Sequence, residues 1–153
     1  MDAFVQPLYE LADFDAIIRQ LKKPGIVQVS GCLDSQKAHF TNGLLREFPF
    51  RLIVAENDLK AKAFYEDFRL YDPEVLYYPA RDLIFYQADI HGNLLTRQRI
   101  QVLRALLERE EVTIVTSIDS CLDCLVPLAV WKEKVIKIRN DSEIDLDRMK
   151  RHL

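Results

Sequence analysis

Residues 27–40 read VQVSGCLDSQKAHF, and their reading decides what kind of protein this is. An apolar run reaches Gly31, and six residues later Lys37 opens a helical pattern, which is the spacing of the phosphate-binding loop G-x-x-x-x-G-K-[ST]. In a working loop the second glycine lets backbone amides approach the phosphates, the lysine reaches the terminal phosphate oxygens, and the hydroxyl holds magnesium. Here Gln36 stands in place of that glycine and Ala38 in place of the hydroxyl. Asp34 adds a negative charge inside the cradle. Two like charges about 5 Å apart at an effective dielectric near 20 repel by roughly 3 kcal/mol, about two orders of magnitude in affinity. Asp34 is better suited to cap the following helix, with Lys37 one turn on as its counter-charge. Gly31, Asp34, Gln36, Lys37 and Ala38 therefore read as a degenerate phosphate loop, and no catalytic residue, cofactor or metal is expected in this segment.

The surroundings suit such a loop. Runs rich in β-branched and aromatic residues fall at 25–30 (GIVQVS), 51–55 (RLIVA), 75–78 (VLYY), 112–117 (VTIVTS) and 134–138 (KVIKI), separated by stretches of helical periodicity. Strands alternating with helices predict an α/β fold with a parallel sheet and helices on both faces, P-loop-like in its order. The first four runs are nearly continuous in apolar residues, as strands covered on both faces are; KVIKI alternates and reads as an edge. Helices are expected at about 8–22, with Leu8, Leu11, Ala12, Ile18 and Leu21 inward, and at 35–47, burying Ala38, Thr41, Leu44, Leu45 and Phe48. A third, at 58–70, is capped by Asn57, with Leu59, Ala63 and Phe64 inward. The fourth, at 94–110, turns Leu95, Ile100, Leu103, Leu106 and Leu107 inward and Arg97, Arg99, Arg104 and Glu108 to water. Ser142 and Asp145 open a last helix, which carries Ile144, Met149 and Leu153 and stops without a closing signal. The expected organisation is a domain at 1–140 followed, at 141–153, by the start of a helix leading into a further domain of a longer protein.

The chain has 153 residues, 49% of them hydrophobic and 29% charged, enough for one domain with a real core. A net charge of -3 gives no whole-chain basic field that would point to nucleic acid. The N-terminal stretch lacks a basic region followed by an apolar one, and no run approaches a membrane span, so a cytoplasmic location is the expectation. Cys32, Cys121 and Cys124 are odd in number and unlike a secreted disulfide framework. Cys121 and Cys124 form a C-x-x-C, but four zinc ligands are not at hand, and Leu122 and Asp123 disfavour a thiolate. Structural cysteines are expected. His39, His91 and His152 have no nucleophile or paired carboxylate at a suggestive spacing and read as surface residues. Tyr77, Tyr78, Phe85 and Tyr86 lie near Arg81, Arg97 and Arg99, a mixture that can stack bases, although packing onto the sheet is the favoured reading.

The order of these parts resembles a known family. A degenerate phosphate loop, then YYPARDLIFYQADIHGNLLTRQRI (77–100), the helix LTRQRIQVLRALL, the strand VTIVTS, the approach through Trp131 and Lys132, and finally EIDLDRMKRHL follow in the order of the N-terminal segment of the transcription-repair coupling factors, Mfd. That segment is itself similar to the first domain of the excision-repair protein UvrB. UvrB carries an intact phosphate loop and a longer aromatic hairpin that clamps DNA; Gln36, Ala38 and the short stretch from Tyr78 to Ile100 side with Mfd. The resemblance implies a parent that is an ATP-dependent DNA translocase, with ATP and magnesium in its motor domains, which displaces stalled RNA polymerase and recruits UvrA in nucleotide excision repair. Those partners, and DNA, would be engaged beyond this segment, which would act as a scaffold without ATPase activity. Two rivals stay open. One is an active P-loop enzyme, for which Asp119 is the nearest candidate second acidic residue; the other is a C-x-x-C thiol redox module.

Overall fold

Six consecutive buried residues, Val112–Ser117, form the strand β3, around which the sheet is built. The computed structural model describes residues 3–81 and 89–135, and the chain divides into two compact units, Met1–Asp123 and Cys124–Leu153. In the first unit β3 lies between β1 (Phe50–Ala55) and β2 (Leu76–Tyr78), in the order β1-β3-β2. Both pairings are parallel, with Leu52 and Leu76 each opposite Ile114. The α/β class with a parallel sheet and helices around it is therefore present.

Period two along the strands sorts the side chains onto two faces. Ile53, Ala55, Tyr77 and Val115 face a cluster completed by Ala38 of α2 (Asp34–Leu45) and by Ala61 and Phe68 of α3 (Asp58–Phe68). Leu76, Tyr78, Val112 and Ile114 face the other way, onto Val102 and Ala105 of α4 (Asp89–Glu108). α4 leaves the same face of β1 uncovered, so that Phe50, Leu52 and Val54 are 57%, 62% and 47% exposed. A third cluster joins Leu8, in a 3₁₀ turn at Gln6–Glu10, and Val5, which caps that turn, to Phe14 and Ile18 of α1 (Phe14–Leu21) and to Phe40 and Leu44 of α2. The short α5 (Ile118–Cys121) follows β3 directly and is capped by Ser117, whose side chain accepts from the Ser120 amide. In the second unit α6 (Leu128–Lys134) starts after Pro127.

Several expectations need correction. Residues 25–30 form no strand, and Ile26 is 94% exposed. β propensity expresses fit to a paired, half-buried surface rather than an intrinsic backbone preference, and no neighbour pairs with this run among the described residues. The run expected at 134–138 begins inside α6, and residues 136 onward lie outside the described residues, as does the helix expected from Ser142. The first helix is split by the capping position at Asp13, and Leu11 is exposed. In α2 Ala38 is buried as expected, but Asn42 and Gly43 are the other fully buried positions, while Leu44 and Leu45 are half-buried. In α3, Asn57 caps as expected, accepting from the Lys60 amide at 2.9 Å. Yet Leu59 is exposed, and Ala61 and Phe68 turn inward. In α4, Ile100 and Leu106 are 45% and 44% exposed, while Arg99, Val102 and Ala105 are buried. The common cause is close approach: small side chains let helices come near their neighbours, and the larger leucines then sit at the rim.

Gly43 is the sharpest case, since a Cβ there would run into Leu8 Cδ1 and stand 3.0 Å from Phe14 Cζ. Alanine in mid-helix would ordinarily be favoured by about 1 kcal/mol. Overpacking of two buried side chains outweighs this, so Gly43→Ala should lower stability by about 1 kcal/mol in urea unfolding. An unchanged or raised midpoint would show that Leu8 and Phe14 make room.

Candidate functional site

The loop that resembles a phosphate cradle has only part of its geometry. Gly31 has φ +87°, a left-handed conformation that favours glycine, as the sequence pattern requires. Beyond it part of the backbone is already engaged. The amides of Gln36 and Lys37 donate to the Leu33 carbonyl at 2.9 and 3.2 Å, and the Leu33 amide donates to Gln36 Oε1 at 3.4 Å. Asp34 was expected to cap α2; Leu33 holds that position instead, and Asp34 is the first helical residue. Its carboxylate lies 2.6 Å from Lys37 Nζ, on the solvent side. The hydrogen bond from Lys37 and its charge hold the Asp34 carboxyl below the ordinary aspartate range, and the same contact raises Lys37. Ala38 is 2% exposed and belongs to the apolar cluster with Ala61, so the position where a phosphate loop carries its hydroxyl is a packing position here.

In open α/β sheets ligands favour the carboxyl ends of the strands, and in this chain that rim is tied together internally. The Ala80 amide donates to Asp58 Oδ1 at 3.0 Å, and Tyr77 Oη donates to the Asp58 carbonyl at 3.3 Å. Burial, then Asp58, pushes the Tyr77 phenol well above its usual value. Thr116 Oγ1 donates to the Tyr78 carbonyl at 2.9 Å. Arg99 was expected to face water; it is 6% exposed and donates through Nη1 to the Pro79 carbonyl at 2.7 Å. Its guanidinium lies 4.2 Å from the centre of the Tyr78 ring, and Nη1 is 2.9 Å from Asp123 Oδ2. Arg99 Nη2, Tyr78 Oη and Asp123 Oδ2 lack an aligned hydrogen-bond partner among the described residues. Burial raises the Tyr78 phenol, and the Arg99 charge opposes that shift.

The remaining candidates are dispersed. Tyr77 and Tyr78 pack in β2, Arg81 is exposed and 3.8 Å from Asp123, and Phe85 and Tyr86 lie outside the described residues. Asp119 is exposed in the first turn of α5 rather than at a strand end. Cys121 and Cys124 are exposed, Cys32 is half-buried, and all three are free thiols. Exposure counts against the structural role expected for the C-x-x-C pair. No cluster of metal-ligating side chains is found among the described residues. His39 is not simply a surface residue: its Nε2 meets the Phe4 carbonyl, and its ring stacks on Tyr71. The side chain of His91 and all of His152 lie outside the described positions. Arg99 and Asp123 are what sequence reasoning missed; the signal was the spacing of Arg99 three and six residues before the small inward Val102 and Ala105.

The class this defines is a small parallel α/β unit with a phosphate-loop-like turn before α2. Among curated proteins the chain is similar to UvrABC system protein B of Treponema denticola, 28% identical over 137 residues, which is 90% of this chain and 19% of that protein. It is also similar to the transcription-repair-coupling factor of Staphylococcus epidermidis, 25% identical over 124 residues, 79% of this chain and 11% of that protein. The chain thus spans less than a fifth of the length of these relatives. No protein-family model matches it.

Two measurements check this geometry. Arg99→Met should cost about 2–3 kcal/mol in chemical denaturation, below the 3–5 typical of a fully buried pair because Asp123 is 28% exposed. Asp123→Asn should cost less, since Arg99 keeps the Pro79 carbonyl and the Tyr78 ring; equal or negligible costs would contradict the hub. For the loop, the Asp34 carboxyl should titrate below about 3.9 by NMR and return towards that value in Lys37→Ala. The sign follows from the lowered pKa: the contact contributes stability above the unfolded aspartate value and loses it as pH falls through the folded one.

Proposed function

We propose that this chain is a UvrB-like scaffold from the N-terminal part of a transcription-repair coupling factor, without ATPase activity of its own. The observation that carries the reading is the engagement of Lys37, which is held by Asp34 rather than left free for a phosphate, while the amides of Gln36 and Lys37 are bound to the Leu33 carbonyl. Ala38 in the core supports it, because a magnesium-holding hydroxyl has no counterpart there. The similarity to a coupling factor over 79% of the chain supports the family part of the reading, and the small share of that protein which is matched supports a parent of several domains. In that parent the translocase motor, with ATP and magnesium, and the surfaces for RNA polymerase, UvrA and DNA belong to other segments. This unit supplies a folded support for them.

The competing reading, an active P-loop enzyme, is favoured by one feature, the left-handed Gly31. Calorimetry with ATP and magnesium at millimolar nucleotide separates the two. The scaffold reading expects no saturable heat; saturable binding that Lys37→Ala abolishes would replace it with the enzyme reading.

A further inference from the structure

β2 lies at an end of the sheet, and its outer edge is not paired among the described residues. A cavity of about 230 Å³ opens along that edge, lined by Tyr65 of α3 and Arg69 at its C-cap, by Gln98 and Gln101 of α4, and by Glu74 and Arg109. We propose that this groove is a docking site for an extended acidic peptide segment, which adds to β2 as a further strand.

Three observations support it. A strand edge offers alternating backbone donors and acceptors, which an extended peptide matches and a compact ligand does not. Gln98 and Gln101 are three residues apart on α4 and line the same groove, and their carboxamides are in no hydrogen bond among the described residues, so they can bind a peptide backbone. The charge of the groove selects the side chains: Arg69 and Arg109 face one acid, Glu74, in a chain whose net charge is -3. Both arginines are engaged only in half-exposed pairs, Arg69 with Glu66 at 3.2 Å and Arg109 with Glu74 at 3.3 Å. Such pairs contribute little and exchange readily for a carboxylate from a ligand. Arg69 also lies over the Tyr65 ring, which keeps its guanidinium beside the groove. The proposal is independent of the nucleotide chemistry of the loop.

The test uses the whole 153-residue chain, isotope-labelled, titrated with the blocked hexapeptide acetyl-Glu-Val-Glu-Val-Glu-Val-amide and with its Lys-Val counterpart. The acidic peptide should shift the amides of Leu76 and Tyr77 saturably, and the basic one should bind at least tenfold more weakly. Arg69→Glu, a half-exposed position where the fold should persist, should reverse that preference, and Gln101→Ala should weaken the acidic peptide several-fold. Circular dichroism of both variants confirms that the fold is intact. Shifts confined to other surfaces, equal binding of the two peptides, or no saturation at millimolar peptide would overturn the proposal. So would concentration-dependent dimerisation through β2 that the acidic peptide does not compete away, since a second copy would then be the occupant.

Discussion

Everything in the first unit is placed by the double burial of β3. Val112 and Ile114 belong to one apolar cluster and Val115 to the other, and all six residues are buried, so both faces must be covered and both edges paired before the strand is out of water. β1 and β2 supply the edges, α3 and α4 supply the faces, and the parallel direction follows because a helix joins each strand to the next. The polar groups obey the same constraint. Thr113 donates to Asp72 at one end of β3 and Thr116 to the Tyr78 carbonyl at the other, so the strand ends are fastened to their neighbours.

The two polar rims of the sheet differ in character. At the amino ends of the strands, Arg51 is itself largely withdrawn from water; it donates to the Phe48 carbonyl and stands 3.7 Å from Asp72, and only its contact with Glu111 opens to solvent. At the carboxyl ends, Arg99 is withdrawn from water and is shared by a carbonyl, a carboxylate and an aromatic ring. That rim is where an α/β sheet ordinarily receives ligands. Here its hydrogen bonds run between Asp58, Ala80, Pro79 and Arg99.

The strands at 50–55, 76–78 and 112–117 were legible because β-branched runs bounded by turns leave few alternatives, and the cap at Asn57 was legible because its side chain acts on the local backbone. Helix phase was legible in part: Leu8, Ile18 and Ala38 are buried as expected, but Leu11, Leu59 and Leu106 are exposed, and Gly43, Ala61 and Ala105 lie inward instead. Hydrophobicity ranks side chains by transfer from water, whereas the inward face of a closely packed helix is chosen by size. Arg99 was lost for another reason, since a guanidinium over an aromatic ring behaves as packing surface. The strand at 25–30 failed for a different reason, because local composition cannot supply a neighbour. In the phosphate-like loop the sequence revealed the missing glycine and hydroxyl but not how the backbone amides would be used, which depends on where α2 begins.

The burial of Ala38 bears on what this fold could still become. A hydroxyl introduced there would enter an apolar contact shared with Ala61, Phe68 and Val115 and would have to find a partner or force α2 away from α3. Acquiring a metal-holding group at that position is therefore not a single-step change. It would call for a change in the spacing of two helices as well as at the loop, so the hinge of any such conversion lies in the core and not at the surface.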